Sequence, residues 1–192
     1  MNDIKVMNHA ADNIRILTAA MVEKAKSGHP GGAMGGADFI NVLYSEYLQY
    51  DPENPEWEGR DRLFLDPGHM SPMLYGVLSM TGHFTLEELQ QFRQWGSPTP
   101  GHPELCVKRG VENSSGPLGQ GHTYGIEPLL QLSSWQHAQA TLLSTRKQSI
   151  FIYLMVVSKK KYHKVQVELP ATWDWITSLC STTQTISSFQ LK

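Results

Sequence analysis

The chain has 192 residues, of which 40% are hydrophobic and 18% charged, a balance that supports a packed core. Its formal net charge of −2 argues against a nucleic-acid-binding protein, which needs a basic surface. No apolar run reaches the ~18 residues of a membrane-spanning helix, and the first residues lack the apolar segment of a signal peptide. We therefore expect a cytoplasmic protein without membrane or nucleic-acid partners, whose two cysteines, Cys106 and Cys180, stay reduced.

Glycine and charge divide the chain near residue 125. All 16 glycines lie at or before Gly125. Residues 1–125 carry 15 acidic and 9 basic side chains, whereas residues 126–192 carry 3 and 7. We therefore expect any function to reside in a domain of residues 1–125, followed by a tail of uncertain structure at residues 126–192.

The first predicted elements are two helices joined by a glycine-rich turn. Ile14, Leu17 and Met21 form an apolar stripe that predicts an amphipathic helix over residues 10–26. Residues 27–32, Ser-Gly-His-Pro-Gly-Gly, end this helix, with Gly28 in the usual C′ position. A second helix is predicted over residues 33–48. The glycines in its first turns weaken the helix, which indicates that something approaches that backbone closely.

A strand and further helices follow. Residues 62–65, Arg-Leu-Phe-Leu, are typical of a buried parallel strand, and Asp-Pro-Gly-His ends it. A helix is predicted over residues 70–80, and a capping box at Thr85 begins another that continues through Trp95. Two loops rich in glycine and proline come next. This alternation favours an α/β fold in which helices flank a parallel sheet.

Four histidines each follow a glycine in such a loop: His29, His69, His102 and His122. Imidazoles at the ends of elements suit a site that contacts anions or moves protons near neutral pH. Two other interpretations stay open. The histidines could bind a metal, although none of them forms an i, i+4 pair or an H-E-x-x-H motif, or they could simply cap loop carbonyl groups. The glycine-rich loop at residues 116–121 could direct backbone amides at a phosphate or a heterocycle, but it matches no nucleotide-binding motif.

Four sequence strings together resemble the N-terminal part of transketolase over about residues 13–123. They are S-G-H-P-G-G at 27–32, D-P-G-H-M-S-P-M-L-Y at 66–75, T-P-G-H-P-E at 99–104 and S-S-G-P-L-G-Q-G-H at 114–122. That family uses thiamine diphosphate and a divalent cation, Mg²⁺ or Ca²⁺, to move two-carbon ketol units between sugar phosphates such as xylulose 5-phosphate and ribose 5-phosphate. The resemblance implies a thiamine-diphosphate-binding fold and a homodimer whose site forms between subunits.

The resemblance also implies a role for each matching residue. His29 would bind the donor sugar and assist proton transfer at its hydroxyl as a catalytic residue. His69 would lie against the cofactor diphosphate. His102, also catalytic, would line the substrate channel beside the reactive thiazolium carbon. Three residues would hold the aminopyrimidine ring through backbone contacts: Gly116, Pro117 and Leu118.

The resemblance stops after residue 123. The family continues with S-D-G-G-I-Q-E and D-S-N-D-I segments, whose Asp and Asn side chains hold the cation, and this chain has neither. A shifted reading frame can be built by joining the third base of each codon to the first two bases of the next. Because Met and Trp have one codon each, the amino acid that this frame encodes is fixed at three places. Met155 followed by Val156 gives Gly, Trp173 followed by Asp174 gives Gly, and Trp175 followed by Ile176 gives Asp. With permitted codons elsewhere, both missing segments reappear in order.

We infer from this decoding a frameshift near residues 124–127. It predicts a chain without metal ligands and with an incomplete parallel sheet, although residues 149–157 could form a strand. Such a chain is expected to be aggregation-prone and inactive.

Three functional interpretations remain. The chain could be the N-terminal region of a transketolase, active only with an intact frame and a C-terminal half in the same or another chain, as in split transketolases. It could instead be a non-functional truncated remnant. A third interpretation keeps the cofactor and changes the acceptor, as in dihydroxyacetone synthase or deoxyxylulose-phosphate synthase, but the T-P-G-H-P-E string favours transketolase.

Overall fold

The computed structural model describes residues 2–121, residue 124 and the backbone of residues 150–154. These residues all belong to one structural unit, Met1–Val156. The predictions that concern His122, the decoded metal segments and most of the tail lie outside the described residues.

The first predicted helix is confirmed and is longer than its apolar stripe. Helix α1 spans Ile4–Ala25, and the side chain of Asp3 caps it by accepting a hydrogen bond from the Lys5 amide. Its last turn ends at Lys26, which adopts a left-handed conformation with φ of 51°. The last residue of the helix, Ala25, therefore lies three positions before Gly28, the residue predicted to stop it.

The second predicted helix, over residues 33–48, is wrong as one continuous element. The structure divides it into α2 (Pro30–Gly35), α3 (Ala37–Val42) and a π-helical turn (Leu43–Tyr47). Gly36 separates α2 from α3 with φ −86° and ψ 0°, outside the helical range. Pro30 is the first residue of α2, where its missing N–H costs no hydrogen bond.

The described part of the chain also contains a parallel sheet of two strands. Strand β1 spans Arg62–Asp66 and pairs in parallel with β2, Ile150–Leu154. The register runs from Arg62 opposite Ile150 to Asp66 opposite Leu154. The strand predicted within residues 149–157 is thus present, and the fold is the predicted α/β arrangement with an incomplete sheet.

Of the two remaining helices, the first packs on α1 and the second contacts the first. A 3₁₀ turn at Gly68–Met70 leads from β1 into α4, Ser71–Met80. Helix α5 covers only Leu86–Leu89, so the helix predicted through Trp95 is too long, although its capping box at Thr85 is confirmed. Another 3₁₀ turn lies at Val107–Arg109.

The core lies between α1, α4 and β1. Gly76 of α4 faces Ile14 of α1 so closely that a Cβ at this position would lie 3.4 Å from the Ile14 Cγ2. Buried side chains of the core come from the helices, from β1 and from the segments around α5. They include Ile14, Met21, Ile40, Leu63, Leu65, Met73, Leu74, Leu78, Phe84, Leu89 and Phe92. None of the helices in the described part of the chain is both long enough and apolar enough to cross a bilayer.

Candidate active site

The site is built around the turn that follows strand β1. Asp66 ends the strand and is buried, and a cis peptide bond joins it to Pro67. The 3₁₀ turn then presents His69, and α4 begins two residues later. Ligand sites of parallel sheets lie at the carboxyl ends of the strands. The turn that carries His69 is therefore an expected place for a functional residue.

His29 lies against this turn. It occupies the N-cap position of α2 and is exposed. The ring centroids of His29 and His69 lie 4.8 Å apart, at an interplanar angle of 52°. Two imidazoles from loops 40 positions apart in the sequence therefore meet at one surface.

His102 is the third member of this cluster. Partial burial is the main cause that lowers the pKa of His69 below its ordinary value, and the neighbouring His29 and His102 lower it further, whereas Asp66 raises it. Burial also lowers the pKa of His102, followed by the charges of Arg93 and His29. His69 and His102 are therefore mostly neutral at pH 7, where each ring offers one N–H donor and one nitrogen acceptor.

The loop at residues 114–121 packs directly on this turn. A Cβ added to Gly68 would lie 2.2 Å from the Ser115 carbonyl oxygen, and one added to Gly121 would lie 2.7 Å from the Leu65 carbonyl oxygen. The Gly119 amide donates to Asp66 Oδ1 at 3.2 Å. The loop is thus fixed against the end of β1 at several points.

The outward part of this loop is open. Gly116, Pro117 and Leu118 are all exposed, and Leu118 has 55% of its surface accessible. No described heavy atom beyond its chain neighbours comes within 4 Å of a Cβ built on Gly116. The backbone of these three residues is therefore accessible to a ligand.

The structure thus brings together the residues selected from the sequence. His29, His69 and His102 converge, and the 116–118 loop starts one residue from Ser115, which contacts Gly68. The roles assigned to these residues stay predictions. His122, the fourth histidine of the set, lies outside the described residues.

Sequence reasoning missed the residues that hold this site together. Asn113 is buried, and its amide group donates to the Leu65 carbonyl at 3.2 Å and accepts from the Leu65 amide at 3.0 Å. Ser115 is 4% exposed, and its hydroxyl has no hydrogen-bond partner among the described residues. Short-range sequence patterns do not mark either residue, because their contacts lie about 50 positions away along the chain.

The described residues hold no group of three or more His, Cys, Asp or Glu side chains that could bind a metal ion. The three clustered imidazoles alone do not form a metal site. Their geometry, with an accessible backbone loop and two neutral rings, instead suits binding and proton exchange with a polar ligand.

Comparison with known proteins assigns a family to this geometry. A family model described as "Transketolase, thiamine diphosphate binding domain" matches residues 6–156. The chain belongs to the transketolase family. This match continues 31 positions beyond Gly125, and it includes strand β2.

Individual relatives match a shorter part of the chain. A transketolase of Halalkalibacterium halodurans is 52% identical over 113 residues, which are 58% of this chain and 17% of the relative. A crystal structure of transketolase from Campylobacter jejuni aligns with a TM-score of 0.70 and 40% identity, covering 79% of this chain and 23% of that one.

A transketolase from Pichia stipitis, solved in complex with sedoheptulose 7-phosphate, aligns with a TM-score of 0.63 and 36% identity over 69% of this chain and 20% of that one. This chain therefore spans about a fifth of the length of its relatives.

Proposed function

We propose that this chain carries the N-terminal part of a transketolase site, which transfers two-carbon ketol units between sugar phosphates with thiamine diphosphate. The observation that supports the proposal is the convergence of His29, His69 and His102 beside the accessible loop at residues 116–118. The family match over residues 6–156 supports the same cofactor. Xylulose 5-phosphate and ribose 5-phosphate are the proposed substrates, in a homodimer that completes the site.

The described residues fit the cofactor at the positions that the proposal uses. Gly116, Pro117 and Leu118 would hold the aminopyrimidine ring through their exposed backbone groups. His69 would lie against the diphosphate as a neutral ring that donates one N–H. The unpartnered hydroxyl of Ser115 lies between Gly68 and Gly121, at the inner end of the same loop.

The described residues do not form a site for the divalent cation that the family uses, because they contain no group of three or more His, Cys, Asp or Glu side chains that could bind it. We propose that its ligands were lost with the reading frame near residues 124–127. A divalent cation, Mg²⁺ or Ca²⁺, belongs to the proposal only for the frame-restored protein.

When bound, thiamine diphosphate would supply carbanion chemistry at its thiazolium carbon toward the carbonyl group of a ketose. The protein residues would bind the sugar and exchange its protons. His29 is exposed and stands at the surface of the cluster, where its ring can bind the donor sugar and take up the proton of a hydroxyl. His102, neutral at pH 7, can donate one hydrogen bond and accept another from neighbouring hydroxyls as the substrate is positioned.

We further propose that this chain alone is inactive, aggregation-prone and located in the cytoplasm. The non-enzymatic alternative is a truncated remnant. The enzymatic alternative is an N-terminal subunit that functions with a separate C-terminal chain.

The test has a sequencing arm and a binding arm. Resequencing the codons for residues 124–127 should find a frame that reads on into the metal segments. The frame-restored protein, with its C-terminal half, should bind thiamine diphosphate in a calorimetric titration with Mg²⁺ and convert xylulose 5-phosphate and ribose 5-phosphate.

Two outcomes would oppose parts of this proposal. Turnover by the unmodified chain would show that the tail costs no activity. A frame-restored protein that binds no thiamine diphosphate would remove the assigned function altogether.

A further inference from the structure

The loop that carries His102 is tied to helix α4 by two side-chain hydrogen bonds. The Ser71 hydroxyl donates to the Gly101 carbonyl at 2.8 Å, and the Tyr75 hydroxyl donates to the Pro100 carbonyl at 2.9 Å. These are the two carbonyl groups immediately before His102. Backbone carbonyls that accept such bonds restrict the conformations of the residues that follow them.

Both donors are themselves held firmly. Ser71 is fully buried, and Tyr75 is 1% exposed, with its ring packed on Phe84 and Phe92 at centroid distances of 5.3 and 6.3 Å. Burial raises the pKa of the Tyr75 phenol, so that it remains a protonated donor at any physiological pH.

The same helix is connected to His69. Ser71 is the first residue of α4 and follows His69 by two positions. One short rigid segment therefore presents His69 at its start and holds the His102 loop through its first two turns. On the other side of His102, the Ser115 amide donates to the Pro103 carbonyl at 3.1 Å, and this joins the His102 loop to the loop at residues 116–118.

We propose that Ser71 and Tyr75 are positioning residues that fix His102 relative to His69 by binding the Pro100 and Gly101 carbonyls. Neither side chain needs to touch substrate or cofactor. The importance of this placement for catalysis rests on the proposed function, but the placement itself is a property of the described chain. The His102 side chain is only partly shielded from water, so its position depends largely on the backbone of its loop.

The test uses the full chain with Tyr75→Phe, Ser71→Ala and the double variant. Tyr75→Phe keeps the buried ring and removes only the hydroxyl. The matched control is Ser79→Ala, because Ser79 lies on the same helix and its hydroxyl also donates to a carbonyl at 2.8 Å, that of Gly76, but it does not contact the His102 loop.

Two measurements are made at micromolar concentration by mass spectrometry. Deuterium exchange at the imidazole C2 gives the pKa of His102. Amide exchange of Arg93 and Ser115, which donate to the Thr99 and Pro103 carbonyls, reports the mobility of the loop. Neither measurement needs cofactor, so a failure of cofactor binding would not affect the outcome.

In both single variants we expect the pKa of His102 to rise toward its ordinary value, because a loosened loop moves the ring into water and away from Arg93 and His29. Amide exchange of Arg93 and Ser115 should accelerate by up to about tenfold, the equivalent of one hydrogen bond, with the control unchanged. The proposal would be overturned if the Tyr75, Ser71 and Ser79 variants all gave the same His102 pKa and the same amide exchange rates. If the double variant does not fold, the single variants decide the outcome.

Discussion

Gly68 shows how closely the residues of the site are packed. Its Cα faces the backbone of Ser115, so that a side chain there would meet a carbonyl oxygen at 2.2 Å. This contact is with backbone, and no rotation of a side chain can relieve it. The requirement for glycine at this position therefore comes from close approach of two loops.

We predict that Gly68→Ala destabilises the protein by about 1–3 kcal/mol or more, as overpacking of a filled interior does. The free energy of unfolding, measured in urea, tests this. Gly31→Ala is the matched control, because no described atom beyond its chain neighbours lies within 4 Å of a Cβ at Gly31, and alanine is the better helix former in α2. Equal stability of the two variants would contradict the close contact at Gly68.

The histidine cluster has its own electrostatic consequence. A proton on His29 repels a proton on either His69 or His102, and so contributes to the lowered pKa of both.

We predict that His29→Gln raises the pKa of His69 and of His102, because one like charge is removed from each. Imidazole C2 exchange measures both values. His9→Gln provides the control, since His9 is an exposed residue of α1. A variant of His29 that leaves both values where they were would mean that the three rings do not lie close together in solution.

At the scale of elements, one side chain binds the backbone of β1 in addition to the partner strand. The amide group of Asn113 bonds both backbone groups of Leu65, as a neighbouring strand would. It thereby joins the end of β1 to the loop that leads into the glycine-rich segment.

We predict that Asn113→Ala destabilises the protein by about 1–3 kcal/mol, because it leaves a buried N–H and a buried carbonyl of β1 without partners. Thermal and urea unfolding measure the loss. Asn54→Ala, at an exposed residue, should change stability by less than about 0.5 kcal/mol. A comparable loss at both positions would mean that the Leu65 groups find other partners.

The elements differ in how well the sequence predicts them. Helix α1 was predictable because Ile14, Leu17 and Met21 repeat with the helical period and face the core. The breaks at Gly36 and Leu43 were not, since the residues after them continue the same apolar pattern. The recurrence of Gly-His indicated a shared site, but the 4.8 Å contact of His29 and His69 depends on how the start of α2 packs on the turn after β1. The role of Asn113 depends on a partner 48 positions away, beyond any local pattern.

At the scale of the whole molecule, one buried ion pair links distant parts of the chain. Arg60 Nε lies 2.6 Å from Glu112 Oε1, and the two side chains are only 9% and 8% exposed. A second bond of 3.0 Å from the same guanidinium makes the pair bidentate. The pair connects the segment before β1 to the residues that precede the site loop.

We predict that Glu112→Gln destabilises the protein by about 3–5 kcal/mol, because the buried Arg60 charge loses its partner. Chemical denaturation of the purified variant measures this loss. The comparison is Asp38→Asn, which removes the carboxylate of the more exposed Arg15–Asp38 pair and should cost less than about 1 kcal/mol. Losses of similar size would show that water reaches the Arg60–Glu112 pair in solution.

The register of the sheet carries a consequence for how the chain assembles. Position 62 lies opposite position 150, a separation of 88 along the chain, so the ladder cannot form until a long intervening segment has been brought round. Such closure costs entropy before any strand contact offsets it. We expect the packed helices and the turn bearing His69 to consolidate first, with β2 docking as the slow step. During synthesis, strand β1 would then remain without its neighbour until the ribosome has added almost ninety further residues.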